Sequence, residues 1–142
     1  MSEHGTDRAL LPAPTSEGLP GEFFGWHTQR ELRFQRCAVC RHWSVPATIN
    51  CANCGSSDLA WERCEGKGTV FSWTRTHNAF DADFMADGPY VCAIVEVDEG
   101  PRLLTSLHGR AATGAEVGLR VKVDFAPRAG DQLIAVFVAD DR

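Results

Sequence analysis

The chain has 142 residues, 44% hydrophobic and 23% charged, which are the proportions of a soluble globular protein with room for one domain or two small units in series. No apolar run approaches the length of a bilayer span, and the start, MSEHGTDRALLPAPTSEGLPG, lacks a basic stretch followed by an apolar one; the compartment read from this is the cytoplasm, where paired cysteines bind metal more often than each other. A net charge of −5 argues against a protein that works by neutralising phosphates.

Residues 1–20 hold Pro12, Pro14 and Pro20 and few large apolar groups beyond Leu10 and Leu11, which predicts a flexible or loosely docked tail. Over 21–31, Phe23, Trp26, His27 and Arg30 fall at i, i+3, i+4 and i+7 and predict a helix of two or three turns, weakened by Gly25. Phe23, Phe24 and Trp26 are too many bulky groups for a free surface helix, so it is read as a docking helix that packs on another unit of this chain or on a partner.

Residues 32–63 form a second unit. Leu32 to Cys37 alternates apolar and polar as a half-buried strand does, and Leu59 to Arg63 returns antiparallel to it. Such a unit is too small for a core of its own. Between its strands stands Cys37-x2-Cys40-x10-Cys51-x2-Cys54. Each CxxC pair suits a knuckle turn that aims two sulfurs at one centre, and two knuckles complete a tetrahedron of thiolates fitted to a structural Zn²⁺. Gly55 follows the second pair, where a positive φ is expected. Two disulfides would need an oxidising compartment, iron would use the same four ligands, and a catalytic zinc would want an open position. His42, between the pairs, reads as an exposed loop residue. Arg30, Arg33, Arg36 and Arg41 crowd residues 30–41 against one acid, Glu31. A solvated face is the plain reading of that cluster; the sharper one is an anion site for a phosphate-bearing ligand.

Residues 64–142 read as all-β. Strands are predicted over 69–76, 90–97, 102–107, 119–125 and 133–138, with Asp98-Glu99-Gly100-Pro101 and Gly130-Asp131 in turns. Five strands in about 75 residues suit a small closed barrel of the OB type better than a sandwich. Cys92, inside an apolar strand, reads as a small buried hydrophobe, and Cys64 has no CxxC partner and no sign of being a nucleophile. The loop 79–89 carries Phe80, Phe84 and Met85 and is either a solvated excursion pinned by an aromatic or a binding lid. His77 with Asp81 or Asp83 would be an acid–base pair, on spacing with no specificity. The barrel region holds eight Lys+Arg and twelve Asp+Glu, which opposes a polyanion despite Phe71, Trp73 and Tyr90.

The joined segments, the CxxC-x10-CxxC ribbon with Pro46 inside it, Gly66-Lys67-Gly68-Thr69-Val70-Phe71-Ser72, and Val95-Glu96-Val97-Asp98-Glu99-Gly100-Pro101-Arg102, resemble the acyl-CoA-associated zinc-ribbon/OB-fold family, long catalogued as domain of unknown function thirty-five. The likeness covers about residues 20–140. It implies a mainly β fold: a short helix, a rubredoxin-like ribbon, then a five-stranded OB barrel. It also implies a non-catalytic accessory subunit in a hetero-oligomer with a thiolase-fold enzyme (thiolase or retro-aldolase), or with a MaoC-type hydratase, acting on acyl-CoA thioesters that include steroid side chains. The family's zinc ligands carry over to Cys37, Cys40, Cys51 and Cys54. Arg30, Arg33, Arg36 and Arg41 become candidate contacts to CoA phosphates, and Phe23, Phe24, Trp26, Phe80 and Phe84 candidate partner contacts. The alternative is a free-standing module for acyl-CoA or single-stranded nucleic acid.

Overall fold

Helix α1 (Gly18–Thr28) comes first in the computed structural model, which describes residues 11–78, 82–86 and 88–141. It lies three residues ahead of the expected 21–31. Pro20 sits in the first turn, where a missing N–H costs nothing, and the N–H of Gly21 is donated to the Glu17 carbonyl at 3.0 Å. The helix stops before Arg30, which takes a left-handed φ of 61° and donates its N–H to His27 O.

β1 (Leu32–Cys37) pairs antiparallel with β2 (Trp43–Ser44) on one side and β3 (Leu59–Cys64) on the other, giving a three-stranded sheet in the order β2-β1-β3. The two-residue β2 is too short to leave a pattern in the sequence. Leu32 and Phe34 on β1 are fully buried, and so is Cys64 at the end of β3. All three belong to the same apolar cluster as the barrel interior, so the ribbon sheet completes its core by packing on the barrel.

The barrel is closed by β4 (Lys67–Thr76), β5 (Tyr90–Val97), β6 (Arg102–Leu107), β7 (Arg120–Arg128) and β8 (Gln132–Ala139) in the order β4-β5-β6-β8-β7. Neighbours are antiparallel except β6 and β8, which run parallel where Leu107 meets Phe137. A mainly β chain with a helix, a ribbon and a five-stranded OB-type barrel is therefore the observed architecture. Along β5 burial alternates strictly, with Val91, Ala93, Val95 and Val97 inside. That alternation puts Cys92 on the outer row, half exposed, against the expectation that it is buried. Cys64 is buried, and burial, with Glu99 and Glu62 nearby, pushes its thiol up to about 12.

Two glycines explain the Gly-Lys-Gly start of the barrel. A Cβ on Gly66 would stand 2.3 Å from the Val123 side chain, and the residue holds a φ of +92°. A Cβ on Gly68 would stand 2.5 Å from the Glu96 carbonyl oxygen. The chain can approach β7 at Gly66 and β5 at Gly68 this closely only without side chains there. A short 3₁₀ turn (Ala82–Met85) lies in the β4–β5 loop, and helix α2 (Arg110–Thr113) joins β6 to β7, with Ala111 in the barrel core. No helix among the described residues is long and apolar enough to cross a membrane.

Candidate metal centre and the junction around it

The two knuckles form as the spacing predicts. Cys37, on the last position of β1, is followed by a turn in which the N–H groups of Val39 and Cys40 both point at its Sγ at 3.4 Å. The second knuckle repeats the device, with the Asn53 N–H at 3.4 Å from the Cys51 Sγ and Gly55 at φ +82°. All four sulfurs lie within 4.8 Å of one another, with Cys37–Cys54 at 3.6 Å and Cys40–Cys51 at 3.5 Å. A tetrahedron with Zn–S bonds of about 2.3 Å has edges of about 3.8 Å, close to the Cys37–Cys54 and Cys40–Cys51 separations, so the donor set fits zinc. His42 is exposed and contributes its carbonyl, which accepts the Cys37 N–H at 2.9 Å.

The thiols divide their protons unequally. The N–H of Cys40, assisted by that of Val39, lowers Cys37. The Asn53 side-chain amide and the His42 N–H pull Cys40 down to about 6. The Ser56 N–H also pulls on Cys54, but burial and the neighbouring sulfurs push it up to about 12. Four thiolates at this separation repel one another; a dication at the centre removes that conflict.

The four arginines are not gathered into one site. Arg33 and Arg36 are three apart on β1 and so face opposite sides of the sheet. Arg33 pairs with Glu31 at 2.7 Å and covers the Trp26 ring at 4.4 Å. Arg36 covers the Trp43 ring at 4.4 Å and reaches Glu62, which Arg41 also reaches, at 3.5 and 3.4 Å. Arg30 lies past the helix end and is exposed.

The aromatic residues of α1 are spent largely within the chain. Phe23 packs beside Phe34 and Trp61, with ring centroids 5.9 and 6.3 Å away, and Phe24 leans on Phe23 and His27. Glu22 accepts the Trp61 indole N–H at 2.9 Å, and His27 accepts the Ala135 N–H from β8. The helix thus joins ribbon to barrel. Phe84 is partly exposed, with its ring 6.2 Å from Tyr90. Phe80 and Asp81 lie outside the described residues, while His77 and Asp83 are both exposed.

Two further exposed apolar groups flank the barrel, Leu104, which the sequence reading does not single out, and Phe71, which it names only as a barrel aromatic. Leu104, 70% exposed, and Phe71, 48% exposed, stand on the outside of the barrel. The doublet Leu103-Leu104 in a strand was a usable signal, because alternation forces one of the two outward. Phe71 sits at the bulge between Val70 and Ser72, with the Arg102 guanidinium 3.9 Å above its ring. Leu104 and Arg102 border a pocket of about 400 Å³ where α1, the ribbon sheet and β5–β6 meet. Phe24, Ser44, Pro46, Ile94 and Leu104 are among its lining residues.

Comparison with known proteins agrees with this arrangement. Residues 28–60 match the family described as the rubredoxin-like zinc ribbon domain of ChsH2, and residues 61–126 match its C-terminal OB-fold domain. The chain is 35% identical over 130 residues to a probable enoyl-CoA hydratase alpha subunit of Thermomonospora curvata, covering 92% of this chain but only 40% of that protein. It is 30% identical over 95 residues to a DUF35 domain-containing scaffold protein of Methanothermobacter thermautotrophicus, covering 66% of this chain and 71% of the relative. Among solved structures, a chain of the Ltp2-ChsH2(DUF35) aldolase superposes with a TM-score of 0.79 at 33% identity, over 89% of this chain and 98% of that one. The converging sulfurs within a rubredoxin-like ribbon make the cofactor a structural zinc ion. Ribbon, barrel and sequence identity together show that the chain belongs to the DUF35 family of zinc-ribbon/OB-fold proteins.

Proposed function

We propose that this chain is a non-catalytic accessory subunit that binds and stabilises a thiolase-fold enzyme acting on acyl-CoA thioesters and helps to form its acyl-CoA site. The observation that carries the reading is the superposition on 98% of a chain of the Ltp2-ChsH2(DUF35) aldolase, at 33% identity. The scaffold name of the archaeal relative supports the same role. The hydratase alpha-subunit relative favours a second partner class, a MaoC-type hydratase, although this chain spans only 40% of that protein.

In this reading Cys37, Cys40, Cys51 and Cys54 hold the zinc ion, which makes the ribbon rigid enough to seat on the enzyme. Arg36 and Arg41, brought together on Glu62, are the cationic pair best placed to turn toward a CoA phosphate. The exposed Phe84 belongs to the docking surface in this reading.

Co-expression tests the proposal. The tagged chain is expressed with a thiolase-fold enzyme or with a MaoC-type hydratase from the same genome, and each mixture is passed over a sizing column. A stable complex with the first, and turnover of acyl-CoA that requires both chains, is the expected result. Steroid side-chain and straight-chain thioesters are the two substrate sets. A chain that elutes alone in both mixtures, or that turns over a thioester unaided, overturns the proposal.

A further inference from the structure

The pocket at the helix–ribbon–barrel junction is built by this chain alone, so what it binds can be argued independently of any partner. Its volume of about 400 Å³ falls in the range of small-molecule sites. Its walls are hydrocarbon and aromatic: Phe24 from the helix, Pro46 from the loop after β2, Ile94 and Leu104 from the barrel. One polar group in the wall is unusual. Ser44 is 6% exposed, it lines the pocket, and its Oγ has no hydrogen-bond partner among the described residues. Buried hydroxyls are normally paired. Two other polar atoms of the wall are already engaged. The Gln35 side-chain oxygen accepts the Thr48 N–H at 2.8 Å, and the Trp61 indole N–H is donated to Glu22. At the rim Arg102 donates to Glu96 at 3.1 Å and lies on the Phe71 ring, so the mouth offers a neutralised pair and no net charge.

We propose that this pocket binds an uncharged, mostly hydrocarbon molecule or moiety carrying one carbonyl oxygen, which accepts the Ser44 hydroxyl. The hydrocarbon part lies against Phe24, Pro46, Ile94 and Leu104. An open-chain acyl group and a fused-ring ketone share this chemistry, and two probes separate them.

The ¹⁵N-labelled, zinc-loaded chain is titrated with 2-decanone and with trans-2-decalone, and decane and trans-decalin serve as references without the oxygen. Saturable shifts at Ser44, Ala47, Ile94 and Leu104 are expected for at least one ketone, and the tighter arm identifies chain or ring. Ser44→Ala should weaken that ketone about fivefold, the loss of one ordinary hydrogen bond, and leave the matching hydrocarbon unchanged. Ala47→Trp fills the pocket and should abolish the shifts. Should the β5 resonances show that this variant is unfolded, Leu104→Asp replaces it, since that side chain is mostly in solvent. The proposal is overturned by the absence of saturable shifts with both ketones, by shifts that survive the blocking variant, or by a Ser44→Ala effect that is equal on ketone and hydrocarbon.

Discussion

The Nδ1 of His27 accepts the backbone N–H of Ala135 at 3.2 Å, so a buried imidazole ties α1 to β8. The bond requires a neutral ring with its proton on Nε2, an atom that is buried without a partner among the described residues. Burial holds the ring's pKa at about 4, below the ordinary 6.5. Above pH 6.5 the ring is neutral in both the folded and the unfolded chain, and its full contribution is present. Below that, the unfolded chain takes up a proton that the folded chain refuses, and stability falls until about pH 4. The expected loss is roughly 3 kcal/mol over this window. Urea unfolding at pH 7.5 and pH 4.5 measures it, and His27→Gln should show the smaller decrease between the two conditions. Equal decreases in both proteins would remove His27 as the cause.

Zinc removal should act locally at first. The knuckles, 37–58, have little apolar support, whereas Leu32, Phe34 and Cys64 share the barrel core. Chelation or Cys40→Ser is expected to abolish hydrogen-exchange protection across 37–58 while the β5 amides stay protected. Metal analysis of the native chain should give one zinc per molecule. Loss of protection in β5 together with the knuckles would show that the ion supports the barrel as well.

Gly68→Ala and Gly25→Ala should have opposite signs. At Gly68 the new methyl meets the Glu96 carbonyl oxygen, and β4 must move off β5. The expected destabilisation is about 1–3 kcal/mol. At Gly25, in the middle of α1, nothing lies within 4 Å. Alanine there should stabilise by about 0.5–1 kcal/mol through helix propensity alone. Thermal unfolding of the pair decides the matter; a destabilising Gly25→Ala would mean that the helix surface packs on something unseen.

Phe34→Ala should cost about 3–5 kcal/mol, because its ring is fully buried between Phe23, Trp43 and the barrel core. The loss should also uncouple α1 from the ribbon, read as faster exchange of the Trp61 indole proton that Glu22 now holds. A ring deletion costing under 1 kcal/mol would place the junction outside the core.

The legible features were those written in short-range pattern. CxxC spacing announced the converging sulfurs because a knuckle is a local turn. Alternation of Leu119, Val121, Val123 and Phe125 with Arg120, Lys122 and Asp124 announced β7, as one buried face imposes period two. β2 and α2 were illegible, since two and four residues carry no period. Cys92 was misjudged from an apolar neighbourhood that did not say which row faces inward. The Leu103-Leu104 doublet carries a readable sign that one of the two faces outward, since neighbours on a strand alternate.

By itself the sequence determined that a tetrathiolate site precedes a small β-barrel, since ligand spacing and strand alternation are properties of residues near one another in the chain. Only the tertiary structure decided where the aromatic residues of α1 and the crowded arginines would go. Phe23 met Phe34 and Trp61, while Arg33 and Arg36 parted to opposite faces and found Glu31 and Glu62. Burial and charge pairing depend on neighbours distant in sequence, so the pocket beside Ser44 exists only once helix, ribbon and barrel have closed around it.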